Sequence, residues 1–325
     1  MTTITKSRRS RRTNLERRDV HQQVTDNIIA AIEAGAGEWQ MPWHRSGKGL
    51  NRPVNIDTRA HYRGVNILNL WVAGEARGYT EGVWGTYRQW QNRGCQVRKG
   101  EKGSLVVFYK ELEFEDQDAD TGMTSTETRL MARASTVFNA EQVDGYEREP
   151  LPVPENPATS IEQAEAFVAA SKALVRHGGG RAYYNPNQDF IQMPERERFL
   201  GTETSTPTEA YYGTLLHELT HWTGHKTRCE RQFGKRFGDE AYAMEELVAE
   251  LGAAFLCADI GISPQPRPDH AAYVDHWLKV LKADKKAIFT AASQASKAAE
   301  FLMGLQAQAL AVSSRARWHF GHGIP

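Results

Sequence analysis

Tyr211-Tyr212-Gly213-Thr214-Leu215-Leu216-His217-Glu218-Leu219-Thr220-His221-Trp222 contains the pattern H-E-x-x-H at 217–221. The residues before it predict a helix: Thr206 as N-cap, Pro207 at the first helical position, and Glu209 three residues after the cap to close a capping box. On such a helix His217 and His221 are one turn apart on the same face. Two imidazoles so placed can hold one tetrahedral metal ion, zinc by default, with Mn2+ or Co2+ as alternatives. Glu218, one step round from His217, is placed to take a proton from an attacking water. Two histidines on a polar helix face remain the plainer explanation until a third ligand is found.

A metzincin-type third histidine is excluded by register, because Gly224 is followed by His225, Lys226 and Thr227. The better source is a second helix from about Asp239 to Ile260, closed by Gly261. Its apolar stripe is Leu247, Leu251, Ala254 and Phe255, and Glu246 and Glu250 stand one turn apart beside it. Spacing alone leaves Glu245, Glu246 and Glu250 as solvent-facing helix formers for the alternative. The arrangement resembles that of the Glu-zincins, where a downstream E-x-x-x-D/E helix supplies the third ligand. That resemblance implies that Glu246 binds the metal and that Glu250 hydrogen-bonds a ligand histidine from behind.

The composition, 40% hydrophobic and 25% charged over 325 residues, is that of a soluble globular protein long enough for two domains. No apolar run reaches membrane-spanning length, and no signal-peptide core follows the basic N-terminus. Cys95, Cys229 and Cys257 are odd in number and far apart, which argues against a disulfide framework and for a reducing cytoplasm. Zero net charge conceals an asymmetry. Residues 1–113 carry 19 Lys/Arg against 11 Asp/Glu, and the remainder 21 against 29. A polyanionic partner therefore belongs to the first half, with a solvated surface as the plain alternative.

Residues 1–18, with six arginines, read as a disordered basic arm. A helix with the stripe Val20, Val24, Ile28, Ile29 and Ile32 follows, then helices over Ile67–Trp71 and Tyr87–Asn92. Gln96–Arg98 and Ser104–Tyr109 predict a hairpin across Lys99–Gly103, residues 115–128 a mobile insertion, and Arg133–Phe138 a returning strand. Five of the eight tryptophans (Trp39, Trp43, Trp71, Trp84 and Trp90) lie in this basic half. Aromatic rings among cations suit single-stranded nucleic acid, although Trp71 on an apolar stripe reads as core.

The ordered series Tyr62-Arg63-Gly64-Val65-Asn66, Trp84-Gly85-Thr86-Tyr87-Arg88-Gln89, Gly94–Gly103 and Val137-Phe138-Asn139-Ala140-Glu141-Gln142 resembles the N-terminal domain of ArdC-type antirestriction proteins. The second half is similar to the zincin-like domain that follows it in that family. The resemblance implies single-stranded DNA as partner, a possible host protein as peptidase substrate, and carriage by a conjugative plasmid or other mobile element. Within the matching segments, chemistry selects Trp43, Arg63, Trp84, Arg98, Lys99 and Lys102 for DNA contact.

The expected fold class is α+β in two domains: a basic arm over 1–18, a single-stranded-DNA-binding α+β domain over 19–146, a Pro-rich linker over 147–158, a mainly helical zincin-like metallopeptidase domain with a small β-sheet over 159–312, and a tail over 313–325. In the second domain a helix is expected from Ile161 to about Arg176, and a hairpin or edge strand over Tyr183–Met193. Tyr184 and His225 are open candidates for stabilising an oxyanion. Two alternatives stay open: a non-catalytic DNA-coating protein whose metal is structural, and a metallopeptidase that cleaves a host defence protein.

Overall fold

The computed structural model describes residues 19–35, 52–117, 124–147, 157–201, 206–232, 240–262 and 270–320. The basic arm, Trp39, Trp43, most of the Pro-rich linker and the last five residues lie outside them.

The N-terminal domain is α+β. Helix α1 (Val20–Gly35) buries Val24, Ile28 and Ile32, the stripe its sequence predicts. Strand β1 (Val54–Asn55), α2 (Val65–Glu75), β2 (Val83–Thr86) and α3 (Tyr87–Asn92) follow. Thr86 and Gln89 close a capping box on α3. Beyond it come β3 (Gln96–Val97), β4 (Ser104–Gln117), β5 (Thr124–Asn139) and β6 (Val143–Asp144). The main sheet has the order β1-β2-β5-β4, parallel at β1-β2 and antiparallel elsewhere.

Two local expectations are corrected here. Strand β3 pairs with β6 and not with β4, because the chain between them turns away: Arg98 donates its backbone N–H to the Gln142 carbonyl, which aligns β3 with the end of the domain. Residues 115–117 and 124–128, expected as insertion, extend the β4–β5 ladder without a break in register. Their Thr- and Ser-rich composition is polar yet β-competent, since β-branched threonine suits a pleated strand.

In the C-terminal domain α4 (Pro157–Ser171) ends earlier than expected. Lys172 takes a left-handed φ of 57°, which stops the helix, and Leu174–His177 becomes strand β7. It runs parallel to β9 (Phe190–Met193), which pairs antiparallel with β8 (Tyr183–Asn185), the expected hairpin. Helix α5 (Pro207–Thr223) carries the H-E-x-x-H residues, and its cap is the predicted one: Thr206 Oγ1 accepts from the Glu209 N–H, and the Glu209 carboxylate accepts from the Thr206 N–H. Helix α6 (Glu240–Ile260) ends at Gly261, whose φ of 76° suits glycine. Helices α7 (His270–Ala283) and α8 (Ala287–Phe320) complete the domain; α8 runs through residues 313–320, expected as tail.

One apolar core is continuous across both domains. Trp71 of α2 meets Phe255 of α6 edge-on at 5.7 Å, and Val24, Ile28, Leu68 and Val106 join the same cluster as Leu247, Leu251, Trp277 and Leu302. A buried ion pair, Arg52–Asp259 at 2.9 Å, and a hydrogen bond from Thr25 Oγ1 to the Lys285 carbonyl tie the seam. Burying paired charges there fixes orientation more than it adds stability.

Helices α5 and α6 cross where Gly252 faces Thr220. A Cβ at 252 would stand 2.4 Å from Thr220 Cγ2, so only glycine allows this approach. The approach brings the two polar faces into one buried site.

Candidate functional site

His217 and His221 point from α5 towards Glu246 on α6. Their Nε2 atoms are 3.2 Å apart, and the Glu246 oxygens lie 3.5 Å from His217 Nε2 and 3.6 Å from His221 Nε2. A tetrahedral ion with ligand bonds of about 2.0–2.1 Å sets its donors roughly 3.3–3.4 Å apart. The two imidazole nitrogens stand at about that spacing, a Glu246 oxygen lies close to each, and all three residues are buried, so this donor set fits a divalent metal.

The ring atoms facing away fix which nitrogen looks inward. His221 Nδ1 is 3.0 Å from Glu245 Oε1, so it donates there and leaves Nε2 for the metal. Glu245 is gripped from behind by Arg231: Nε to Oε2 at 2.9 Å and Nη2 to Oε1 at 2.9 Å. Arg231 also donates to the Thr220 carbonyl at 2.6 Å and to Thr223 Oγ1 at 2.7 Å, so it holds α5 as well as α6. His217 Nδ1 is 3.5 Å from Glu250 Oε2, an electrostatic contact longer than a hydrogen bond, and this buried nitrogen has no closer partner.

Burial alone would push the His221 imidazole down, but the Glu245 and Glu246 carboxylates overcome it and push it up to about 10. Burial would raise the Glu245 and Glu246 carboxyls; the imidazoles, with Arg231 beside Glu245, hold both below the usual carboxylate range. Glu218 is buried on α5, next to His217 in sequence.

Of the residues expected from sequence, His217, His221 and Glu246 meet at this helix crossing and Glu250 lies near His217, but the hydrogen bond expected between Glu250 and a ligand histidine is not formed; Glu245 bonds His221 instead. Glu245 and Arg231 were not foreseen. Glu245 is one of three similar glutamates on one helix, and Arg231 sits in a basic connection that reads as surface. Of the two oxyanion candidates, Tyr184 donates its hydroxyl proton to Asp189 at 2.8 Å, and His225 Nδ1 bonds Thr227 Oγ1 at 2.8 Å.

Residues 162–294 match the family model described as a zincin-like metallopeptidase, and residues 18–138 match the N-terminal domain of anti-restriction factor ArdC. The metal-free crystal structure of the antirestriction ArdC protein from R388 plasmid is 42% identical, with a TM-score of 0.71 over 89% of this chain and 98% of that one. This chain belongs to the ArdC family. The Mn(II)-bound structure of the same ArdC protein is 40% identical, with a TM-score of 0.67 and the same coverage. The family is also represented by the uncharacterised protein y4eC of Sinorhizobium fredii (strain NBRC 101917 / NGR234), 49% identical over 90% of this chain and 94% of its own length. DNA primase TraC of Escherichia coli is 38% identical over 88% of this chain, which spans only 27% of that primase.

In the ArdC-type N-terminal domain the residues selected for DNA contact fare differently. Trp84 is 2% exposed and packs edge-on against Tyr79 at 6.1 Å, so its ring offers no face to a base; this corrects the expectation, because β2 is covered on the side where Trp84 points. Arg98 is engaged within the fold by Glu101 at 2.9 Å, by the Glu141 carbonyl, and by Asp144 at 3.6 Å. It braces the turn before β4. Lys99 and Lys102 are exposed on that turn, and Arg63 is exposed beside Glu300 of α8 at 2.6 Å. Trp43 lies outside the described residues.

Proposed function

We propose that this chain is an antirestriction protein of a mobile element, which binds single-stranded DNA through its N-terminal domain and carries a metal-dependent peptidase-like centre in its C-terminal domain. The observation that carries the second half is the buried convergence of His217, His221 and Glu246, with Glu218 on the same helix turn. His217 and His221 would supply neutral Nε2 donors and Glu246 a carboxylate, with Glu245 holding the His221 ring and Glu250 lying 3.5 Å from His217 Nδ1. Zinc is the default ion for two histidines and a carboxylate, and the Mn(II)-bound relative keeps manganese in view.

A divalent ion held by His217, His221 and Glu246 would supply a Lewis acid for a scissile carbonyl and would lower the pKa of an attacking water. Glu218 would serve as the base that accepts a proton from the attacking water and as the acid that protonates the leaving amine. Deep burial strengthens each of these electrostatic interactions. The DNA-binding half rests on the basic first half of the sequence, the exposed Lys99, Lys102 and Arg63, and the family membership.

The test is protection of incoming DNA from restriction in recipient cells, comparing wild type with Glu218→Ala at matched expression. Loss of protection by a mutant that still binds metal and single-stranded DNA is expected. Full protection would refute a need for the peptidase chemistry and leave DNA coating as the activity.

A further inference from the structure

We infer that the cleft between the N-terminal sheet and α8 is a seat for an unpaired base of single-stranded nucleic acid, with Phe108 as the stacking face. This rests on the DNA-binding reading above and assigns it a location. The cleft encloses about 600 Å³, and its walls come from both domains: the Tyr62–Asn66 segment, β4, and one face of α8. That volume lies within the roughly 300–1,000 Å³ of ordinary small-ligand sites.

Its chemistry is that of a nucleotide site. Phe108 and Tyr109 are consecutive on β4 and 48% and 46% exposed, among the largest apolar groups that the fold leaves in water. Tyr109 is tied by its hydroxyl to His21 at 2.8 Å, whereas Phe108 has no polar atom to satisfy and gains nothing from solvent. An exposed flat ring on a rigid strand can stack any base, since every base has a π-face. Cations share its strand face or its cleft. Arg133 is the cross-strand partner of Phe108 and so shares its sheet face. Lys297 lines the α8 wall, and Arg63, 69% exposed at its side chain, uses one end on Glu300 and keeps most of its N–H donors for a phosphate.

The cleft also holds a polar contact for a base edge. The buried Tyr62 hydroxyl accepts from Asn55 Nδ2 at 3.1 Å, so its own proton is left to donate, and no described residue takes it. A base carbonyl would satisfy it. Gly64 seats this segment on α8 through its N–H to Ser296 Oγ at 2.9 Å, which makes the cleft a fixed feature rather than a gap between loose parts.

The experiment measures fluorescence anisotropy of the full-length protein with labelled oligo(dT) and with an abasic oligonucleotide of equal length, for wild type, Phe108→Ala and Tyr62→Phe. Wild type is expected to prefer oligo(dT). Phe108→Ala should weaken oligo(dT) roughly 5- to 100-fold and leave abasic binding unchanged, as loss of one stacked base predicts. Tyr62→Phe keeps the packing and should weaken oligo(dT) by a smaller factor, again without effect on the abasic strand. If wild type binds neither strand, the DNA-binding reading itself fails. If wild type prefers oligo(dT) and Phe108→Ala matches it, DNA binds elsewhere and only the cleft assignment is overturned.

Discussion

Replacing Glu245 by glutamine separates the role of the carboxylate from its shape. In the wild type, Glu245 Oε1 accepts from His221 Nδ1 at 3.0 Å and from Arg231 Nη2 at 2.9 Å, while Oε2 accepts from Arg231 Nε at 2.9 Å. A glutamine has one acceptor oxygen. Turned towards His221, it sets its NH2 against the Arg231 fork; turned towards Arg231, it sets its NH2 against His221 Nδ1. The second orientation forces the proton of His221 onto Nε2, the nitrogen that faces Glu246, and blocks the metal. Loss of a partner behind a ligand histidine typically weakens metal binding about 10- to 100-fold, or roughly 1.4–2.8 kcal/mol. Breaking a buried ion pair costs about 3–5 kcal/mol, and because glutamine keeps one acceptor the lower end, about 3 kcal/mol, applies to the metal-free protein. Zinc affinity by chelator competition and urea unfolding in excess chelator measure the two terms separately. Metal affinity within about twofold of wild type would refute the idea that Glu245 selects the His221 tautomer, since that role predicts at least about tenfold.

Gly252→Ala places a methyl 2.4 Å from Thr220 Cγ2, so α6 must shift; urea unfolding should show a loss of about 1–3 kcal/mol, with Thr220→Ala restoring part of it. Metal uptake should release about one proton between pH 7 and 9, because His221 is pushed up to about 10 in the metal-free protein and must lose that proton to bind. Apparent metal affinity then rises with pH through this window, and calorimetry in buffers of different ionisation enthalpy detects the proton; no buffer dependence would contradict a protonated His221. Lys99→Ala and Lys102→Ala should each lower the salt slope of single-stranded DNA binding by about 0.7, whereas Arg98→Ala should act on thermal stability, because its guanidinium braces Glu101 and the Glu141 carbonyl.

Local chemistry was legible in the sequence. The capping box Thr206–Glu209 and Pro207 start α5 by bonds within one turn, the four-residue spacing of His217 and His221 aligns them by helix geometry alone, and Gly261 ends α6 through its own φ. The alternation at Ser104–Tyr109 marked β4, and the Tyr183–Met193 hairpin followed from its turn residues. Each of these depends on neighbours within a few positions.

Pairings across long separations were not legible. Which of Glu245, Glu246 and Glu250 faces which histidine depends on how close α6 comes to α5, and Gly252 against Thr220 sets that approach. Arg231 looks like any surface arginine until the fold buries it between both helices. Partner choice decided that β3 joins β6, since two-residue strands carry too little pattern to name a mate. Trp84 and Phe108 show the same limit in opposite directions: composition offered the tryptophan as a base platform, the sheet buried it, and the exposed ring beside the cations belongs to β4. By itself the sequence determined the helices and the chemical groups they carry, because those are short-range consequences of residue type. The tertiary structure alone decided which groups meet, because a shared core brings together α2, α6 and α8 from distant parts of the chain.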